Sequence, residues 1–224
     1  MAPPVLKLAV CLFEGVASTD FQGPVELFGF ISPEQYPLQN FPTEPAYLID
    51  ASYFSTSMDA VRTASGPTLV PTRTYDSLKS GEQFDIVLVP GGPGSRPGVT
   101  PSAVLDFIKA QAPGATYILG VCTGAEILAR AGILAKGNKA TTNKKAFNRI
   151  KGDHPDVEWV AVARWVIDGK IWTSSGVIAG TDMAYEFLER LVGSGISTPI
   201  RCTVELPIRG DEAEEEFARY YGLI

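Results

Sequence analysis

The residue of this 224-residue chain whose type and setting best suit nucleophilic chemistry is a cysteine set between glycines, Cys122 in the stretch GVCTGAEILARAG (120–132). An apolar run ends at Cys122 and a helix-period segment follows it. The sulfur is therefore expected on a sharp strand-to-helix turn, projecting out of the packed layers as the serine of a G-x-S-x-G elbow does. The free N–H groups and positive end of the following helix would favour thiolate over a free thiol, which titrates near about 8.5. The same N–H groups are suited to an anion developing on a substrate. The competing reading is a small buried hydrophobe in a tight turn. Cys11, inside a strand, and Cys202, in an irregular tail, are expected to be inert.

Ligands of open parallel sheets gather at the carboxyl ends of the strands. Three loops are expected to meet there: EGVASTDFQGP (14–24), PGGPGSRPG (90–98) and the turn at Cys122. The first loop offers the carboxyls of Glu14 and Asp20, and the second offers the backbone N–H groups of Gly91 and Gly92. His154, the single histidine, lies in the polar stretch KGDHPDVEW (151–159) without other ligand-type residues, which reads as a loop. Cysteine–histidine catalysis and a histidine metal site are thus poorly supported. The proton-transfer partner of Cys122 must be a carboxylate, a tyrosine or water. Asp20 is the best candidate, with a raised pKa and a hydrogen bond to sulfur expected of an acid beside a thiol. It is also a candidate N-cap for the helix beginning there. Ser174, Ser175 and Gly176 end a strand near the expected pocket and are candidate substrate contacts.

The elements that must position these groups alternate between short apolar runs and helix-period segments, the pattern of a mainly parallel sheet flanked by helices. VLKLAVCLF (5–13), AYLIDASYF (46–54), FDIVLVPGGPG (84–94) and ATYILGV (115–121) read as strands. A helix from about Asp20 places Phe21, Val25, Phe28 and Gly29 on one side, residues 101–112 form another, and Gly132 ends the helix after Cys122. DAVRTASGPTLVPTRTYDSL (59–78) suggests short antiparallel strands around Ser65-Gly66. VEWVAVARWVIDGKIWTSSG (157–176) reads as one hairpin turning at Asp168-Gly169, with Trp159, Trp165 and Trp172 in core or dimer packing. GTDMAYEFLERLVG (180–193) is an amphipathic helix capped by Asp182, with Met183, Phe187 and Leu191 inward. The last twenty residues suggest an appended helix.

Composition bounds the class. With 45% hydrophobic and 20% charged residues, the chain suits one globular α/β domain. Its net charge of −6 includes the acidic cluster DEAEEE near the C-terminus, and it has no basic run that would suit nucleic acid. Three scattered cysteines fit a reducing compartment rather than a disulfide framework. The first apolar run is interrupted by Lys7 and lacks a cleavage site, so it reads as a strand rather than a signal peptide. No stretch approaches the roughly 20 apolar residues of a membrane span. A soluble, cytoplasmic protein is expected.

Three segments together resemble the ThiJ/PfpI superfamily, the class I glutamine amidotransferase-like proteins: DIVLVPGGPG (85–94), GVCTGAEILARAGILAKGNKATTN (120–143) and WTSSGVIAGTDMAYEFLERL (172–191). The resemblance runs in order from about residue 5 to 195. It implies a single domain over 1–224, with residues 196–224 as an extension, and a flavodoxin-like sandwich carrying a cysteine elbow and an added β-hairpin. STDFQGPVELF (18–28) is most similar to the isonitrile hydratase branch, whose members are cofactor-free homodimers that convert R–N≡C to an N-formamide. This implies Cys122 as nucleophile, Asp20 as acid/base, and no metal or cofactor. Gly91, Gly92, Thr123, Asn143, Ser175 and Gly176 would form the anion- and substrate-binding surface. Two departures stand out. Asn143 occupies the place where relatives often carry histidine, in TTN, and Thr123 stands where the protease-like branch has histidine. The glyoxalase and deglycase branch would supply glutamate in place of Asp20. The alternatives are a glyoxalase or deglycase acting on 2-oxoaldehydes and a non-catalytic cysteine redox sensor.

Overall fold

The computed structural model describes residues 3–207, 209 and 216–224. Its strands are β1 (Val5–Cys11), β2 (Leu48–Ser55), β3 (Val61–Arg62), β4 (Thr68–Leu69), β5 (Arg73–Thr74), β6 (Ile86–Val89), β7 (Tyr117–Val121), β8 (Lys139–Ala140), β9 (Glu158–Trp159), β10 (Trp165–Asp168) and β11 (Ile171–Ser174). Its helices are α1 (Ser18–Gly29), α2 (Ser102–Gln111), α3 (Gly124–Arg130), α4 (Phe147–Asp153), α5 (Val177–Val192), α6 (Ser194–Thr203) and α7 (Glu216–Tyr220). The central sheet has the order β10-β11-β7-β6-β1-β2-β5. Every pairing in it is parallel except β10 with β11.

Strands buried on both faces must be apolar throughout. β6, IVLV, is buried at every position, as are Leu8, Ala9, Val10 and Cys11 of β1. Successive residues of a strand point to opposite faces, and the end of β7 makes the two layers visible. Gly120 opens against α3, where a Cβ would meet Leu128 Cδ1 at 2.8 Å. Val121 packs the other way, onto Gly180 of α5. On the α5 side, Phe187 gathers Phe28 of α1, Tyr117 and Trp172 edge-on, with ring centroids 4.9–5.6 Å apart. On the other, Phe54 of β2 packs with Tyr75, Phe84 and Phe107 of α2. The result is the expected mostly parallel sheet between helices.

Strand order reverses at β1, which lies between β2 and β6, so the chain leaves β1 and β6 in opposite directions at their carboxyl ends. A crevice opens at such a switch point, and the loops after β1, β6 and β7 converge there.

Several local expectations are corrected. α1 starts at Ser18 behind Ala17, so Asp20 lies inside the first turn and does not cap it. Asp182 is likewise within α5, which starts at Val177; buried in the helix, it pairs with Arg164. The long hairpin is shorter than the alternation suggests. Only β10 and β11 form it, around Asp168-Gly169, while Glu158–Trp159 turns away and pairs in parallel with Lys139–Ala140. Trp159 is thus core packing of this small sheet, and its indole N–H donates to His154 O at 3.0 Å. Cys202 lies in a helix, α6, whose Ile196 and Ile200 are buried. The antiparallel pair around Ser65-Gly66 is present as β3 and β4. Of the acidic cluster, residues 211–215 lie outside the described residues.

Candidate active site

Cys122 follows β7 and precedes α3 with a φ of +59°. Left-handed backbone is uncommon for a residue with a Cβ, and here it is held from both sides. The Cys122 N–H donates to Ser174 O at 3.1 Å, and its carbonyl accepts the Thr142 hydroxyl at 2.9 Å. The turn is therefore fixed by strand β11 and by the segment after β8. Cys122 is only 7% exposed.

Asp20 reaches the same point from α1 and is fully buried. Its Oδ2 accepts the Gly91 N–H at 2.9 Å. Oδ1 is buried with no hydrogen-bond partner, and the Cys122 thiol lies close enough that the two groups shift one another. Burial pushes the Asp20 carboxyl up to about 7, against the opposing pull of the Gly91 N–H and the thiol. The thiol is pushed up to about 12, first by burial and then by the charge of Asp20; the N–H and hydroxyl of Thr123 pull it back only in part. The raised acid agrees with expectation. The thiolate favoured by a helix start does not: desolvation outweighs the few donors at the turn, so the resting pair is a thiol beside a carboxyl.

Gly91 and Gly92 are brought to the cysteine, but their N–H groups are already engaged. Gly91 holds Asp20, and Gly92 donates to Thr123 Oγ1 at 3.0 Å. Ser95 Oγ lies 2.7 Å from both Thr123 Oγ1 and Gly92 O, completing a polar brace under the turn. A Cβ at Gly91 would lie 2.6 Å from Thr123 N, so only glycine lets this loop approach the cysteine turn so closely.

A cavity of about 380 Å³ opens on the thiol, lined by Cys122, Thr123, Gly92, Ser95, Asn143 and the side chains of Arg96, Lys145 and Arg149 among others. That size accommodates a small molecule. Asn143 Oδ1 accepts the Lys145 N–H at 3.1 Å, so it braces the cavity wall as well as lining it. Ser175 and Gly176 do not line this cavity. They belong to a neighbouring one of about 320 Å³, which Asn143 and Lys145 share and which Phe217 and Tyr221 help to enclose. Glu14 is exposed and accepts the Arg62 N–H, away from the thiol. His154 ends α4. Among the described residues no group of three or more His, Cys, Asp and Glu side chains is placed to hold a metal ion.

Comparison with known proteins decides the family. The DJ-1/PfpI family pattern matches residues 6–190. The chain belongs to the DJ-1/PfpI family. Among curated DJ-1/PfpI relatives, isonitrile hydratase of Pseudomonas putida is 29% identical over 201 residues, 89% of this chain and 78% of that protein. A glutathione-independent glyoxalase of Caenorhabditis elegans, DJR-1.2, is 25% identical over 63% of this chain and 73% of its own length. A ThiJ/PfpI family protein from Pseudomonas syringae superposes with a TM-score of 0.77 at 24% identity, covering 95% of this chain and 80% of that one. Drosophila melanogaster DJ-1beta superposes with a TM-score of 0.72 at 19% identity, covering 92% of this chain and all of that one. The DJ-1/PfpI fold is thus shared with proteins that differ in their named activities.

Sequence reasoning missed Ser95, Thr142 and the ion pair in the cavity wall. Arg149 grips the fully buried Glu126 through two bonds, of 2.6 and 2.7 Å. Glu126 carried a signal: it is a charge on the first turn of a helix whose other residues, Ala125, Ile127, Leu128 and Ala129, are core. Ser95 and Thr142 carried none, since isolated hydroxyls in loops are ordinary.

Proposed function

We propose that the chain is a cysteine-dependent hydratase that adds water to an isonitrile and releases an N-substituted formamide. The observation that carries this reading is the buried Cys122 thiol beside the buried Asp20 carboxyl. This pair can move one proton between sulfur and substrate without a histidine. The 29% identity to an isonitrile hydratase supports the choice of substrate class.

The chemistry balances without a cofactor. Asp20, ionised, takes the proton of the Cys122 thiol as sulfur bonds to the terminal carbon of R–N≡C, and returns it to that carbon to give the thioimidate R–N=CH–S. Asp20 then accepts a proton from the attacking water, whose hydroxide bonds to that carbon, and passes this proton to the nitrogen. Collapse of R–NH–CH(OH)–S breaks the C–S bond, releasing R–NH–CHO and restoring the thiol. This is nucleophilic catalysis with one acid/base serving both halves. Gly91 aims Asp20, and Gly92, Thr123 and Ser95 hold the turn. Ser175 and Gly176 act on the substrate only if its substituent extends past Asn143 into the second cavity. The domain over residues 1–224 works, on this reading, as a cytoplasmic homodimer, which light scattering of the purified protein checks.

The test is incubation with a panel of alkyl and aryl isonitriles, following formamide by mass spectrometry, with methylglyoxal run alongside. Formamide from the wild type and at least a thousandfold less from Cys122→Ala is the expected result, in line with loss of a nucleophile. Lactate from methylglyoxal without any formamide, or full activity in Cys122→Ala, overturns the reading.

A further inference from the structure

The cavity over Cys122 carries unmatched positive charge. Arg96 enters it from the loop after β6, Lys145 from the turn after β8, and Arg149 from α4. Arg149 is matched by Glu126 and, at 3.0 Å, by Asp153. Arg96 and Lys145 make no ion pair among the described residues, in a chain whose net charge is −6.

Both cations are mounted on fixed backbone. The Arg96 carbonyl accepts the N–H groups of Val99 and Thr100 at 3.0 and 3.2 Å, and the Lys145 N–H is held by Asn143. The lining of the cavity includes no carboxylate among the described residues. A cleft lined by one sign of charge raises the local concentration of the opposite sign, and guanidinium is suited to gripping a carboxylate through two bonds.

We propose that Arg96 and Lys145 form an anion subsite, so that the substrate carries a carboxylate on the substituent remote from its reacting carbon. Joined to the hydratase reading, on which the identity of the reacting group rests, this makes the preferred substrate an isocyano carboxylate and the product an N-formyl carboxylic acid. The carboxylate binds across the cavity mouth while the isonitrile carbon points inward to the sulfur.

Two experiments separate this subsite from the hydratase reading. In the first, kcat/KM is measured for an isocyano carboxylate and for its methyl ester. The acid is expected to be favoured by about tenfold, through KM, and Arg96→Gln with Lys145→Gln is expected to remove that preference. Equal use of acid and ester by the wild type, or a preference that survives both substitutions, overturns the subsite. The second experiment does not depend on turnover. Cys122 is alkylated with iodoacetate and with iodoacetamide, each expelling iodide, and labelled peptides are quantified with exposed Cys202 as the reference in the same molecule. The iodoacetate-to-iodoacetamide ratio is expected to be about tenfold higher at Cys122 than in the double variant, and to fall as salt is raised. A ratio that the double variant does not lower overturns the subsite even if isonitriles are hydrated. Absence of formamide from every isonitrile, with the iodoacetate preference intact, overturns the hydratase reading and leaves the anion subsite standing.

Discussion

Gly91 and Asp20 are joined by one hydrogen bond, N–H to Oδ2 at 2.9 Å, between residues 71 positions apart in the chain. The bond ties the loop after β6 to the first turn of α1. It is made where a side chain on Gly91 would strike Thr123, 2.5 Å from Oγ1 and 2.6 Å from N. One glycine therefore sets the acid, the turn and the distance between them.

Gly91→Ala is expected to move that loop away from the turn, because backbone at Thr123 cannot swing aside as a flexible side chain would. Overpacking of this kind costs about 1–3 kcal/mol, and misplacing the carboxyl is expected to lower turnover by about a hundredfold. Thermal melts and kcat/KM for isonitrile hydration, measured together, check both parts.

Asp20→Asn separates stability from activity. The native carboxyl at about 7 lies above the unfolded value of about 3.9, so the folded state binds its proton more tightly. Stability from this group is full below about pH 4 and is lost as pH rises to about 7. An uncharged Asn, which keeps an oxygen for the Gly91 N–H, escapes this loss. Relative to wild type, the variant is expected to gain about 3 kcal/mol more at pH 8 than at pH 5. Its hydratase activity is expected to fall by about 10²–10⁴ with the acid/base removed. Denaturant melts at the two pH values check the first claim; a gap that does not widen with pH contradicts it.

The rate profile follows from the same group. On the proposed mechanism, thiol and carboxylate together are the state that reacts, and a second proton on Asp20 removes its ability to accept from sulfur. The kcat/KM of wild type is expected to rise with pH to a plateau, with a midpoint near 7, and to stay level up to the thiol at about 12 or the limit of stability. Isonitriles do not titrate in this range, so the midpoint belongs to the enzyme. A profile flat from pH 5 to 9 would rule out Asp20 as the proton acceptor.

Arg149→Met strands Glu126, which is fully buried while Arg149 is 44% exposed at its side chain. Arg149 is half exposed and Arg130 also acts on Glu126, so leaving the buried carboxylate without its two bonds is expected to cost about 1–3 kcal/mol. Adding Glu126→Gln to Arg149→Met is expected to recover much of that loss. Urea midpoints of the two variants give the comparison; equal destabilisation in both would contradict it.

The strands were legible because burial on both faces demands continuous apolar runs, and β1, β6 and β7 have them. The Cys122 turn was legible because a cysteine among glycines between a strand and a helix has few other uses. Asp20 was found by elimination, with a single histidine too remote in the pattern to serve. The extent of the hairpin was not legible, since the alternation around Trp159 is equally satisfied by pairing with β8. Asp182 was misread because an acid near a helix start looks like a cap until a buried Arg164 is found opposite it.

Residue types and local order thus determined the α/β class and the strand-to-helix turn at Cys122, both of which depend on short-range periodicity and backbone sterics. The tertiary structure decided what those groups experience. Burial raises both the thiol and its acid, the two glycine N–H groups turn inward to brace Asp20 and Thr123, and the cations from distant segments meet at one mouth. Desolvation and charge are set by what packs around a group from elsewhere in the chain, and neither can be read until the loops after β1, β6 and β7 are brought together.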